Sequence, residues 1–243
     1  MAGLLLAACG DGAELDRLAA GETGRVASVK SGDEVVLADG LDVRVSGIQA
    51  PWPDEPGGAQ ARDALAALVL GRDVQLFYGG ARRDSHGRAL AQVRTVDGRR
   101  WVEGALLSEG WARVRTFGDN RALAQPMLDA EADARAARRG LWAMKAYEVR
   151  LPQEVTADVT GFQIVEGRVE GVTGTGRGTY LDFRKDRRGF AVLIDAHAVG
   201  DFEAAGAAPS SLMGRLVRVR GIVGRDGQMR IDHPEPVELL KER

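Results

Sequence analysis

The chain has 243 residues, of which 28% are charged and 44% hydrophobic, and a net charge of −2. This is the composition of a folded globular protein, long enough for one large or two small domains, and it excludes a disordered chain and a globally basic one. Charge is unevenly spread: residues 1–61 carry 4 basic and 10 acidic side chains, residues 62–150 carry 16 and 11, and residues 151–243 carry 13 and 14. The modest positive surplus of the middle segment suits a polyphosphate ligand, and equally a solvated surface. A single cysteine, Cys9, excludes an intrachain disulfide and a multi-cysteine zinc site.

At the N-terminus, Leu4, Leu5, Leu6, Ala7, Ala8, Cys9 and Gly10 resemble the cleavage box of bacterial lipoproteins. The resemblance implies a lipidated Cys9 tethering the protein to the bacterial cell envelope, with the rest of the signal upstream of Met1. Residues 10–24 then read as a polar tether, so that 1–23 form a leader and tether. A short N-terminal helix in a secreted or cytoplasmic protein is the alternative. No other apolar run approaches the roughly 20 residues that span a bilayer.

Strand signals follow closely. Residues 24–30 and 34–38 flank the turn Ser31-Gly32-Asp33, and Asp39-Gly40 leads into an alternating strand through Val43, Val45 and Ile48, with Gly47 predicted as a bulge. Residues 51–58, with three prolines and two glycines, are a loop. The spacing of Ala64, Leu65, Leu68 and Val69 predicts a helix over 59–70 ended by Gly71. Residues 73–78 and 90–96 are the fourth and fifth strands, and helices are predicted over 101–109 and 120–139. Five short strands with interspersed helices fit a closed Greek-key barrel of the OB type over residues 24–150.

Residues 151–160 read as a linker, and strands are predicted at 162–169, 179–183, 190–194, 216–223 and 228–231, with a hairpin turn at Asp226-Gly227 and a short helix over 196–205. The fold class is therefore mostly β (α+β): an OB-type five-stranded barrel with about three helices, then a second small OB-like barrel over 161–243. In this second part the loop 171–178 with Arg177 and the cluster Arg184, Lys185, Arg187 and Arg188 are candidates to track a sugar-phosphate backbone. Tyr180, Phe183 and Phe190 are candidates to stack bases, with core packing the alternative.

Asp33 in a turn, Arg44 on the next strand and Arg88 after the fourth are residue types suited to a phosphodiester. A carboxylate holds a cation, and a guanidinium fork donates two hydrogen bonds to phosphate oxygens without losing its proton. From Gly24 to Trp142 the order of motifs resembles the staphylococcal nuclease (thermonuclease) family: Ser31-Gly32-Asp33, Arg44-Val45-Ser46-Gly47-Ile48-Gln49-Ala50-Pro51, Arg83-Asp84-Ser85-His86-Gly87-Arg88, and a last helix closing on Arg138-Arg139-Gly140-Leu141-Trp142. By that resemblance Asp33 is a calcium ligand, Arg44 and Arg88 are catalytic contacts to the scissile phosphate, and the partner is single-stranded DNA or RNA.

Two departures bear on the reaction. Gln49 stands where the family has a second calcium-binding Asp, and Trp52 where it has the general-base Glu; an amide is a weak ligand for a hard cation and an indole accepts no proton. Loss of a general base alone forfeits about 10²- to 10⁴-fold in rate. The aromatic residues with which the family stacks the nucleotide near the start of the last helix are missing, Thr116 and Gly118 being the nearest positions. The leading expectation is a nucleic-acid-binding protein with absent or reduced phosphodiesterase activity. The alternatives are a calcium-dependent nuclease with Asp54 or Glu55 as a relocated carboxylate or His86 as base, and an envelope protein-interaction module.

Overall fold

A computed structural model describes residues 13–186 and 189–241. The proposed lipidation box with Cys9, and Arg187 and Arg188 of the second basic cluster, lie outside the described residues. The chain divides into two compact units after Ala146.

In the first unit, β1 (Ala19–Ser31), β2 (Glu34–Leu37) and β3 (Asp42–Val45) form an antiparallel meander. After a short β4 (Ile48–Gln49) and helix α1 (Gly58–Val69), β5 (Asp73–Tyr78) pairs with β1, and β6 (Ala89–Thr95) lies between β5 and β3. The barrel closes in the order β1-β2-β3-β6-β5, with β3 and β6 parallel. Helices α2 (Val102–Glu109) and α3 (Ala124–Ala136) follow, separated by β7 (Arg113–Val114), which pairs with β4. Alternating side chains fill the interior: Val43 and Val45 of β3, Val74 and Leu76 of β5 and Val93 of β6 are buried with Leu65, Leu106 and Met127 from the helices.

Two sequence expectations change here. Within the described part of the predicted tether, Leu15 is fully buried in the core, Asp16 pairs with Arg94 at 2.8 Å, and strand pairing begins at Ala19. The Ala-Gly-Thr composition hid a strand whose hydrogen bonds come from β5, not from its own apolar pattern. The third strand does not run on to Ile48 through a bulge. It stops at Val45, and Gly47, at φ +80°, turns the chain so that Ile48 and Gln49 leave the barrel for β7.

The second unit contains β8 (Gly161–Arg168), β9 (Gly171–Thr175), β10 (Gly178–Asp182), β11 (Ala191–Asp195), a helix α4 (Val199–Ala204), β12 (Leu216–Val223), β13 (Gln228–Ile231) and β14 (Val237–Leu239). Pairing runs β9-β10-β11-β13-β12, with β8 and β14 both on β12 and β11 parallel to β13. Only two residues separate β8 from β9, so one bent segment carries both ends of the pairing order and the sheet returns on itself. This is the strand order of the first unit, including its parallel pair, and both match the OB type. The stretch 171–175 is thus a strand and not a loop. Val155, from the predicted linker, is buried in this unit's core. Phe183 and Phe190 pack against each other at 5.2 Å in the same core, which removes them from any base-stacking role.

Candidate functional site

The turn at 31–33 is held by a close approach. A Cβ on Gly32 would lie 2.6 Å from the Ala50 Cβ and 2.7 Å from that of Ala61, so only glycine lets the segment after β4 press against it. Asp33 is consequently buried at 2% exposure. Its Oδ1 accepts from Ser31 Oγ at 2.8 Å and from Arg44 Nη1 at 2.6 Å, and its Oδ2 from the Ala50 N–H at 2.8 Å. Burial pushes the Asp33 carboxyl above its ordinary range, and Arg44 and the Ala50 N–H offset this only in part.

Arg44 lies opposite Glu34 on β2 and Leu90 on β6. Arg88 stands just before β6; its Nη1 donates to Glu34 Oε2 at 2.7 Å and its Nε to Asp84 Oδ2 at 2.7 Å. For Asp84 burial acts upward, but the bonds from Arg88 and His86 outweigh it and leave the carboxyl below its usual range. Arg44 and Arg88 both line one cavity of about 730 Å³, with Gln49, Trp52, Arg83, Asp84, His86, Arg115 and Phe117. The two arginines named from the sequence are thus brought to one cleft, with Asp33 beneath Arg44.

Trp52 and Phe117 flank this cavity with 55% and 48% of their surface exposed. The Arg115 guanidinium lies 4.9 Å from the Phe117 ring centroid, and its Nη1 donates to Gln49 Oε1 at 2.7 Å. Neither Arg115 nor Phe117 was marked by the sequence motifs. They are presented by the β4–β7 pairing, whose only local signal is the short alternation Ala112, Val114 and Thr116.

The relocated-carboxylate expectation is not met. Asp54 and Glu55 are exposed and do not line the cavity, and Glu55 Oε2 instead accepts the Trp52 N–H at 2.7 Å, closing its own turn. His86, on the rim, is largely solvent-exposed, with Ser85 Oγ 3.3 Å from its Nδ1. Calcium takes six to eight oxygen ligands, chiefly carboxylates. Among the described residues no group of three or more His, Cys, Asp or Glu side chains is arranged to hold a metal ion. Asp33 gives both its oxygens to donors, and Gln49 Oε1 accepts from guanidiniums. These residues do not fit a calcium ion.

The site is thus a five-stranded OB-type barrel that carries two arginines to one cleft. The staphylococcal nuclease homologue family matches residues 42–144, which contain Arg44, Gln49, Trp52, Arg88 and Arg115. The chain is 35% identical over 130 residues to Protein ParB of Escherichia coli, covering 49% of this chain and 71% of that protein. It is 32% identical over 110 residues to the probable staphylococcal-like nuclease CAN1 of Oryza sativa subsp. japonica, covering 45% of this chain and 31% of that protein. Similarity to the probable endonuclease LCL3 of Verticillium alfalfae is 27% over 181 residues, 68% of this chain and 61% of that protein. The chain belongs to the staphylococcal nuclease homologue family, and spans about a third of the length of the rice relative.

Proposed function

We propose that the first unit binds single-stranded nucleic acid in the cleft between Arg44 and Arg88, and that its phosphodiesterase activity is absent or much reduced. The observation that carries this reading is the asymmetry of the cleft: two arginines line it together, while the positions that bear on calcium and water activation hold Gln49 and Trp52. Guanidiniums grip phosphate without a metal. Exposed Trp52 and Phe117 offer faces on which unpaired bases stack, an interaction worth about 1–3 kcal/mol per base and closed to bases already paired in a duplex. Asp33, enclosed by Arg44, Ser31 and the Ala50 N–H, acts in this reading as the anchor of Arg44 rather than as a metal ligand.

The test is fluorescence anisotropy of a labelled single-stranded oligonucleotide, in parallel with a cleavage assay in calcium. Expected are salt-sensitive binding in EDTA, a loss of tenfold or more in Arg44→Ala plus Arg88→Ala, and a loss of roughly thirtyfold or more in Trp52→Ala plus Phe117→Ala with little change in Tm, since both rings are exposed. Calcium-stimulated cleavage abolished by Asp33→Ala, or equal affinity for duplex and single strand, would falsify the reading.

A further inference from the structure

Gln49 bridges two cations. Its Nε2 donates to the Ala50 carbonyl at 3.0 Å, which fixes the amide so that Oε1 faces Arg44 Nη2 at 3.5 Å and Arg115 Nη1 at 2.7 Å. Arg44 spends one N–H on Asp33 and one on Gln49 out of the five that a guanidinium carries. Arg115 is held from below as well as beside. Its backbone N–H donates to the Gly47 carbonyl at 2.9 Å, and the fully buried Glu131 of α3 accepts the neighbouring Val114 N–H at 2.7 Å while pairing with Arg135 at 2.9 Å. Burial and the nearby Arg44 cation push Arg115 below the ordinary arginine range, against the pull of Asp33. Two like charges are therefore held close together at a cavity wall, an arrangement that an incoming anion relieves.

We infer that Arg44 and Arg115, spaced by the Gln49 amide, form a divalent-cation-independent clamp for a phosphate group, in which Arg115 supplies the positive charge that a metal ion supplies elsewhere. Gln49 is its positioning residue, and its neutrality matters: a carboxylate at this position would pair with both guanidiniums and compete with the phosphate for them. Phe117, beneath the Arg115 guanidinium, places a flat face next to the clamped phosphate. The inference deepens the nucleic-acid reading above and rests on it for the identity of the phosphate's bearer. The clamp itself requires only a phosphate oxyanion.

Two probes separate the two ideas in the full-length protein: a labelled single-stranded oligonucleotide followed by anisotropy, and inorganic tripolyphosphate followed by calorimetry. Wild type is expected to bind the oligonucleotide with affinities that agree within about twofold between EDTA and calcium, and to bind tripolyphosphate, which itself complexes calcium, in EDTA. Arg115→Gln is expected to weaken both by about tenfold and to make the oligonucleotide's log–log salt dependence shallower by about 0.7, one single-strand phosphate contact. Gln49→Asp is expected to weaken both by a similar factor in EDTA. Arg115→Lys, which keeps the charge and loses the fork, falls between and serves if Arg115→Gln does not fold. Unchanged affinity in the Arg115 and Gln49 variants, or binding that needs calcium, overturns the clamp. Tripolyphosphate binding that depends on Arg115 with no oligonucleotide binding keeps the clamp and removes the nucleic-acid reading. Binding of neither probe removes both.

Discussion

Replacing Asp33 by Asn separates an anchoring carboxylate from a metal ligand, because the two roles predict opposite changes in binding. In the folded protein the two carboxylate oxygens accept from three donors, Arg44 and Ser31 on one side and the Ala50 N–H on the other. Asn retains one acceptor and places an NH₂ group against the remaining donors, and it leaves Arg44 without its buried counter-charge. The expected cost is about 2–3 kcal/mol, or a fall in Tm of roughly 10 °C for a unit of this size. Anion affinity should move the other way. A phosphate on the far side of the Arg44 guanidinium sits roughly 7 Å from the carboxylate, and at effective dielectrics between protein surface and water the repulsion removed is about 1–2 kcal/mol, roughly five- to thirtyfold in Kd. Anisotropy supplies the Kd, and circular dichroism supplies the Tm. A variant that loses oligonucleotide binding together with a calcium response of the wild type would refute the anchoring role.

Gly47→Ala should disturb both fold and site. At φ +80° a Cβ is strained, and it would lie 2.5 Å from Met127 Cε, so a loss of about 2–3 kcal/mol in denaturant unfolding is expected; a change below about 0.5 kcal/mol contradicts the turn's role in directing β4 out of the barrel. Glu103, fully buried with both oxygens accepting the Val93 N–H, is held by burial well above its ordinary value of 4.5. The folded state then binds this proton more tightly than the unfolded one, so the group's favourable contribution is complete below about pH 4.5 and is lost as pH rises through the raised folded value. Glu103→Gln removes that dependence, and its Tm relative to wild type should rise with pH across about pH 4–9; a pH-independent difference contradicts this assignment.

The legible parts of this sequence were those encoded locally. Residues 73–78, 216–223 and 228–231 were read with their observed bounds, because period-2 apolar spacing and turn dipeptides such as Asp226-Gly227 act within a few residues. The illegible strands depend on partners elsewhere. Ala19–Gly24 has no apolar alternation and is a strand through hydrogen bonds to β5, and Gly171–Thr175 is a strand because it pairs with β10. The site divides in the same way. Arg44 and Arg88 were marked by their motifs, whereas Arg115 lies 66 residues from Gln49 and acquires meaning only when a two-residue strand pair brings them together.

Both units follow the same strand order, and among the described residues the first brings two arginines to one cleft at its parallel strand pair. In the first unit β3 and the approach to β6 deliver Arg44 and Arg88, and the turn at Gly47 swings Gln49 out to meet Arg115. In the second unit the parallel pair is β11 with β13. Its Arg230 is paired with Asp195 at 2.6 Å, and Phe183 and Phe190 are spent on the core. The barrel order therefore accounts for the scaffold and not for the chemistry. What distinguishes the first unit is an excursion of a few residues after β3, where the Gln49 amide comes within reach of a third arginine.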